Sequence, residues 1–432
     1  MPPQSNFLVV ASIDRARAVA LRALLATMNH RPGVVNPQNT LVPFGQFDRL
    51  HFARFVILDD KTLDDISVYG VPRPDIAVPL AFLGDCDGPA HEFLADLVRR
   101  AGTGLREIFS HCRGFSPDGD VLAWMRDNEK PPTALYVNWV GRSVRQIREE
   151  SALRDALVSY LDANAAALAG KRPREWREGL RKFVDTEKQA GRLTLTPERT
   201  PLSWKVGELL HAAGVLLVLL LFAPFLALYL PVYLVQLRLR ERHDPEIAPR
   251  PTEGHVRDLA ELEDHDVTNQ FTAIGCLKPG LLRLWSASFF LWMLNNACRH
   301  VYNRGHLTRV GTIHFARWVF LDDKRRILFA SNYDGSLESY MDDFINKVGW
   351  GLNLVFSNGV GYPRTDWLLL HGAEREQKFK YFLRRHQLPT EVWYNAHPGL
   401  TAVDLDRNSR IRAGLEKARM TDGEIREWLQ LF

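Results

Sequence analysis

The chain has 432 residues, 46% apolar and 25% charged, which excludes collagen-like, wholly disordered and disulfide-scaffold proteins. With 55 basic and 51 acidic residues the net charge is only +4, so we expect no nucleic-acid partner. The four cysteines are far apart and lack the C-x-x-C spacing of zinc ribbons and dithiol redox motifs. A reduced, cytoplasmic setting fits them best.

The first 160 residues alternate between strand and helix patterns. FLVVA at 7–11 is followed at once by Asp14 and Arg15, which predicts a strand entering a helix and not an export signal. The order β-α-β-β-α-β is that of a ferredoxin-like unit, which we assign to residues 1–160. The predicted strands are 7–12, 51–58, 76–83 and 133–139, and the predicted helices are 15–28 and 90–111.

Residues 161–262 form a predicted helical linker with a charged helix at 174–189. Within it, 209–235 has 27 residues without Asp, Glu, Lys or Arg, longer than the roughly 20 needed to span a bilayer. Pro224 and Pro231 divide this stretch, and proline bends a helix, so we predict a membrane-binding helical hairpin at 209–237. The alternative is a pair of buried core helices.

Residues 263–432 repeat the β-α-β-β-α-β order as a second unit. A tight strand pair is expected across the sequence Asp-Asp-Lys-Arg at 322–325. The predicted strands are 267–277, 312–321, 326–330 and 391–396, and the predicted helices are 281–302, 336–355 and 373–387.

An internal duplication relates the two units. HFARFVILDD at 51–60 recurs as HFARWVFLDD at 314–323, and LAFLGDCDG at 80–88 aligns with ILFASNYDG at 327–335. The predicted fold class is therefore α+β, with two ferredoxin-like units forming a pseudo-symmetric α+β barrel around the inserted hairpin. A complete crossing would separate the units, so we expect a monotopic protein at the cytoplasmic face, with Arg238, Arg240 and Arg242 at the lipid headgroups.

The repeated tetrad His-Phe-Ala-Arg is the first candidate for chemistry. An odd separation along a strand predicts that His51 and Arg54, and likewise His314 and Arg317, lie on opposite faces. These residues could perform acid/base work or hold an anionic group beside an apolar cavity. Alternatively they are structural, with each arginine paired to the Asp-Asp that ends its block.

The repeated Asp-Gly at Asp87 and Asp334 ends a strand and opens a helix. The carboxylate would cap that helix while glycine permits the turn. The first copy, GDCDG at 84–88, also spells G-x-x-D-G and resembles the signature of dye-decolorizing-type haem peroxidases, which contain duplicated ferredoxin-like units. That resemblance implies a haem cofactor with Asp87 on its distal side. The second copy, SNYDG at 331–335, departs from the motif.

A third polar cluster, EDHDVTNQ at 263–270, opens the second unit. Asp264, His265 and Asp266 could ligate a metal or orient an imidazole, although no second histidine lies at zinc-ligand spacing; the alternative is a solvated linker end. The candidate catalytic residues are thus Asp87, His265, His314, Arg317 and Asp334. Further candidates for a haem ligand are His300, His306, His371 and His397.

Two functions fit these patterns. The first is a membrane-associated oxidoreductase, peroxidase-like and haem-dependent, acting on a hydrophobic or lipid-like substrate from the bilayer. The second is a non-catalytic, membrane-anchored lipid-binding or scaffold protein. In both, the expected partners are membrane lipid and a hydrophobic small molecule.

Overall fold

The computed structural model describes residues 3–168, 170–197 and 200–432. Most helices and strands follow the predicted order, because the apolar periodicities were correctly assigned. The strands are β1 (Ser5–Ser12), β2 (Asn29–Arg31), β3 (Val34–Val35), β4 (Leu50–Ile57), β5 (Pro79–Cys86), β6 (Ala134–Val137), β7 (Thr268–Cys276), β8 (Ile313–Leu321), β9 (Arg326–Asp334), β10 (Thr365–Asp366), β11 (Leu370–His371) and β12 (Thr390–Asn395). The α-helices are α1 (Ala18–Ala26), α2 (Ala90–Phe109), α3 (Val121–Asp127), α4 (Val144–Leu168), α5 (Pro173–Gln189), α6 (Leu202–His243), α7 (Glu253–Ala260), α8 (Leu281–His300), α9 (Leu337–Phe356), α10 (Glu376–His386), α11 (Ala402–Glu416) and α12 (Asp422–Leu429).

Two four-stranded antiparallel sheets form the centre of the molecule. Each half of the chain contributes its last strand to the sheet of the other half. The first sheet has the order β1-β5-β4-β12 and the second β6-β8-β9-β7. Strand β6, from the first half of the chain, pairs with β8, and β12, from the second half, pairs with β4. The predicted units 1–160 and 263–432 therefore each complete the other's sheet and are not self-contained.

The sheets pack face to face between two outer layers of helices. A shared core that includes Leu83, Val56, Val319 and Leu328 fills the space between them. Helices α1, α2 and α3 cover the outer face of the first sheet, and α8, α9 and α10 cover that of the second. Each sheet stays open, so the prediction of a closed α+β barrel was wrong. The exchange of last strands and the face-to-face packing join the halves instead.

Helix α6 runs without interruption for 42 residues, so the predicted hairpin at 209–237 was wrong. Pro224 and Pro231 lie inside the helix. A proline removes one backbone donor and bends a helix, but two of them do not force the chain to reverse. The alternative of buried core helices was also wrong, because none of the most apolar 18-residue window of α6 is buried. By length and composition α6 is able to cross a membrane.

Both ends of α6 contact the same helix, α8. Near its start, His211 Nδ1 lies 2.9 Å from His300 Nε2. Near its end, the Tyr233 hydroxyl lies 2.9 Å from Ser286 Oγ. The last turn is fixed by the buried Glu241, which accepts hydrogen bonds from the backbone of the loop after β10. The two ends of α6 thus belong to one body.

A helical cluster outside the sheets was missed by the sequence interpretation. Helices α4, α5, α11 and α12 pack around a core that includes Leu157, Leu180, Ile411 and Trp428. The signal was present, because α11 and α12 begin with capping boxes, Thr401 with Asp404 and Thr421 with Glu424. This cluster joins the chain after β6 to the chain after β12.

Candidate functional site

The histidines of the repeated tetrads lie between the two sheets. A β-bulge at His51, and another at His314, adds one residue to each strand before the tetrad's phenylalanine. Each histidine therefore faces the same side as the arginine three residues later, and the prediction of opposite faces was wrong. His51 contacts Phe315 of the opposite sheet, and His314 contacts Phe52.

Each of these histidines donates a hydrogen bond to the aspartate of the repeated Asp-Gly. His51 Nε2 lies 2.9 Å from Asp87 Oδ1, and His314 Nε2 lies 2.7 Å from Asp334 Oδ1. The second carboxylate oxygens accept the first backbone N–H of α4 and of α11, at 2.9 and 2.7 Å. The prediction that each aspartate caps the helix that follows it was therefore wrong. The aspartates join a strand histidine to a helix from another layer.

The arginines of the tetrads cross the space between the sheets. Arg54 donates to the Phe271 carbonyl at 2.9 Å and to the Asn332 side chain. Arg317 donates to the Phe7 carbonyl at 2.9 Å and forms an ion pair with Asp85. The prediction that they pair with the Asp-Asp turns was wrong, although their role is structural, since they fasten the sheets together.

The two crossing arginines meet partners of different charge in the two sheets. Asp85 and Asn332 occupy equivalent repeat positions, so two buried guanidinium groups share one carboxylate. Burial, and then the charge of Arg317, lowers the pKa of Arg54 to about 9. Burial raises the pKa of Asp85, and the charges of Arg317 and Arg54 oppose that shift. The ion pair between Arg317 and Asp85 and the hydrogen bond from Arg54 to Asn332 hold these buried groups together.

The remaining predicted polar residues do not join this group, with the exception of His397. His265 is exposed and its Nε2 bonds to the Glu261 carbonyl at 2.9 Å, as expected of a linker end. His300 bonds to α6, and His371 bonds to Asp366 on the surface. His397 is buried between the rings of His51 and His314, with ring centroids 5.9 and 6.0 Å away.

A separate, apolar cavity of about 290 Å³ lies between α8, α9 and the outer face of the second sheet. Its walls are aromatic and aliphatic, which suits a hydrophobic ligand. Sequence reasoning predicted an apolar pocket but not the residues that line it, since a cavity wall and a filled core have the same composition. Among the lining residues are Phe271, Met293, Trp318, Phe329, Tyr340 and Phe344.

Part of the cavity lining lies on the face of α8 that contacts α6. Ser286, Met293 and His300 recur at intervals of seven residues and so share one face of α8. Ser286 and His300 bond to α6, and Met293 lines the cavity between them. Two further lining residues, Phe289 and Trp350, are 38% and 52% exposed. The exposed part of the lining is therefore apolar, and Met293 places it beside the helix that contacts α6.

Neither of these two cavities suits a haem. The space beside Asp87 and the three buried histidines has a volume of about 20 Å³, far less than a porphyrin requires. The apolar cavity is lined by neither histidine nor cysteine. Within the described ranges there is also no group of three or more His, Cys, Asp or Glu able to hold a metal ion. The distal role that the G-x-x-D-G resemblance implies for Asp87 has no place in this geometry.

Comparison with models of known protein families, with curated protein sequences and with solved structures gave no match. The class that the geometry itself defines is an α+β protein with an exposed apolar helix beside an apolar cavity.

Proposed function

We propose that this membrane-associated protein takes a hydrophobic molecule of lipid type from the bilayer and holds it in the cavity between α8 and α9. The observation that carries the proposal is that Met293, which lines the cavity, lies on the face of α8 that bonds to α6. A molecule leaving the hydrocarbon around α6 would meet Met293 and Phe289 before it met water. Its transfer would leave little apolar surface exposed.

The cavity lining favours binding over catalysis. None of its residues is Asp, Glu, His, Cys, Lys or Arg, so it offers no group that titrates near neutral pH. Tyr340 bonds to Ser331 at 2.8 Å, and burial raises its pKa above the usual value. The lining selects by shape and apolar area, as sites for acyl chains do. The oxidation of such a substrate stays a prediction.

The membrane surface in this proposal consists of α6 and the exposed apolar residues of α8. Leu281 and Trp285, each 73% exposed, continue the apolar surface beyond the cavity lining. Because both ends of α6 belong to one body, α6 would lie along the cytoplasmic face. Arg240 and Arg242 are exposed and would meet headgroups, whereas Arg238 is paired with Asp366. We also propose that the halves arose from one duplicated ferredoxin-like unit.

A fluorescent polyene fatty acid tests the cavity, because Trp318 and Trp350 in its wall would transfer energy to the bound probe. We expect saturable transfer in the wild type and at least a tenfold weaker Kd in Ala297→Phe, which fills the cavity from α8. Val301→Phe adds the same ring at an exposed position outside the lining and should bind normally. Equal binding by Ala297→Phe and wild type would contradict the proposal.

Flotation with liposomes tests the membrane surface independently. Leu216, Leu220 and Phe225 are more than half exposed on α6, and replacing all three by Glu should abolish flotation because carboxylates resist transfer from water. The matched control places Glu at Val19, Val68 and Val403, three exposed apolar residues elsewhere. Flotation should persist in the control; its loss in both variants would remove α6 from the model of membrane contact.

A further inference from the structure

A small polar cavity lies at the end of the space between the sheets, where β6 leads into α4. It has a volume of about 20 Å³ and is lined by His51, His314, His397, Arg142 and Trp139, among others. That volume accommodates one particle of the size of a water molecule. The cavity is separate from the apolar one and shares none of its lining residues.

The polar atoms around this cavity lack partners to an unusual degree. His397 is 4% exposed, and neither of its ring nitrogens has a hydrogen-bond partner among the described residues. Arg142 is 3% exposed, and its Nε and one terminal nitrogen also have no partner within that part of the chain. The two Arg142 nitrogens are donors, and a neutral His397 ring carries one N–H donor. Unpartnered buried donors cost about 1–3 kcal/mol each, so these three in one place indicate a missing acceptor.

The buried guanidinium of Arg142 is the charged donor at this cavity. The guanidinium of Arg142 stacks on Trp139 at 4.4 Å, which fixes its plane. Burial, followed by the charges of His51, His314 and Arg148, lowers the pKa of His397 well below its usual value. Asp87 and Asp334 each accept from a histidine and a helix N–H, and Glu150, whose charge with that of Asp406 acts on Arg142 from a distance, accepts from Gln146. None of these carboxylates is a hydrogen-bond partner of the orphaned Arg142 nitrogens among the described residues. An acceptor that enters here therefore gains from carrying negative charge.

We propose that this cavity binds one small monovalent anion, of the size of a halide, between Arg142 and His397. The anion accepts hydrogen bonds from the guanidinium and from the N–H of the neutral imidazole. Its size is limited by the cavity, so a larger organic anion is excluded. Bound there, it holds the connection before α4 against the end of β12 and compensates the charge of Arg142.

Thermal unfolding in sodium chloride and in sodium gluconate, at matched ionic strength, tests the proposal. Chloride and bromide should raise Tm in a saturable way, as a ligand that binds the folded state does, and gluconate should not. Arg142→Gln should lose the halide-specific increase. Arg304→Gln is the control, because Arg304 stacks on the same tryptophan from the exposed side, and it should keep the increase.

Crystals soaked in bromide supply a measurement that does not depend on stability. An anomalous peak between Arg142 and His397 is the expected result. Density for a water alone at saturating bromide would overturn the proposal, and so would equal stabilisation by gluconate and chloride or an undiminished halide effect in Arg142→Gln. If Arg142→Gln fails to fold, the bromide soak of the wild type still decides.

Discussion

The two halves of the molecule build different outer layers from nearly equal lengths of chain. Between its first two sheet strands, the first half has 37 residues, 13–49, and the second has 36, 277–312. The first half builds the short helix α1 and a long loop whose Leu41, Val42, Phe44 and Phe47 are buried. The second builds the long helix α8 and a short loop.

This difference explains why the apolar cavity occurs beneath the second sheet. In the first half, Phe47 packs edge-on against Phe93 at 5.9 Å, and the Leu41 backbone presses against Gly104. The second-half residues equivalent to Phe93 and Gly104 are Tyr340 and Gly351, and both line the cavity. The two halves share the strand order of their sheets and the crossing arginines, but the second half has the longer α8 where the first has a core-filling loop. The second half therefore has both the cavity and the helix that contacts α6.

The largest expected losses of unfolding free energy concern Phe82 and Phe329, which occupy equivalent repeat positions. Phe82 stacks on Phe55 at 4.3 Å in a filled core, so Phe82→Ala should cost about 3–5 kcal/mol. Phe329 lines the cavity, and Phe329→Ala should cost about 1–2 kcal/mol less because fewer contacts are lost. Urea unfolding of both variants measures this. Equal losses would mean that the second core is as well filled as the first.

Acid should destabilise the second half through His386, a buried residue of α10 packed against β7. Burial lowers its pKa from 6.5 to about 4. Between those values the unfolded chain binds more protons, so stability falls as pH falls from about 6.5 to about 4, by roughly 3 kcal/mol. The slope of stability against pH in this window should flatten in His386→Leu. An unchanged slope would assign the acid sensitivity to other groups.

The two His–Asp pairs should behave alike, in contrast to the outer layers. Asp87→Ala and Asp334→Ala each leave a histidine N–H and a helix N–H without an acceptor, so each should cost about 2–3 kcal/mol. Asparagine at either position retains one acceptor and should cost less. Melting temperature and fatty-acid binding are the readouts. If one copy loses function without losing stability, that copy has a chemical role.

The smallest expected changes in unfolding free energy concern Gly104 and Gly351, which also occupy equivalent repeat positions. A Cβ on Gly104 would overlap the Leu41 backbone, so Gly104→Ala should cost about 1–3 kcal/mol. A Cβ on Gly351 meets nothing within 4 Å, and Gly351→Ala should stabilise helix α9 by about 0.5–1 kcal/mol. Chemical denaturation distinguishes opposite signs readily. A destabilised Gly351→Ala would contradict an open space at that position.

The sequence predicted the main strands because their apolar runs repeat, and it predicted the exposed apolar segment from its lack of charge. It could not predict the bulges at His51 and His314, because β4 and β8 are buried on both faces and show no alternation. The sequence also could not predict that β6 and β12 pair with strands of the other half. Their partners β4 and β8 carry the same tetrad, so either edge offers nearly the same local pairing.

For the candidate site, the sequence identified His314, Asp87 and Asp334, but it assigned the two aspartates to the helices that follow them and not to a histidine and a helix of another layer. Arg142 was missed because one arginine after a strand carries no recognisable spacing. The cavity was missed at the level of residues because it results from loop length. Only the comparison of residues 27–49 with residues 301–312 shows that a buried loop in one half has no counterpart in the other.

The exchanged strands impose an order on biosynthesis. Ala53 on β4 pairs with Tyr394 on β12, a partner that leaves the ribosome 341 residues later. At about 5–20 residues per second, the edge of β4 waits roughly 20–70 s for that partner. Within that interval α6 emerges, before any strand of the second half exists. The first sheet therefore still has an open edge at β4 when α6 has already left the ribosome, so that edge has to be protected from pairing with other chains until β12 arrives.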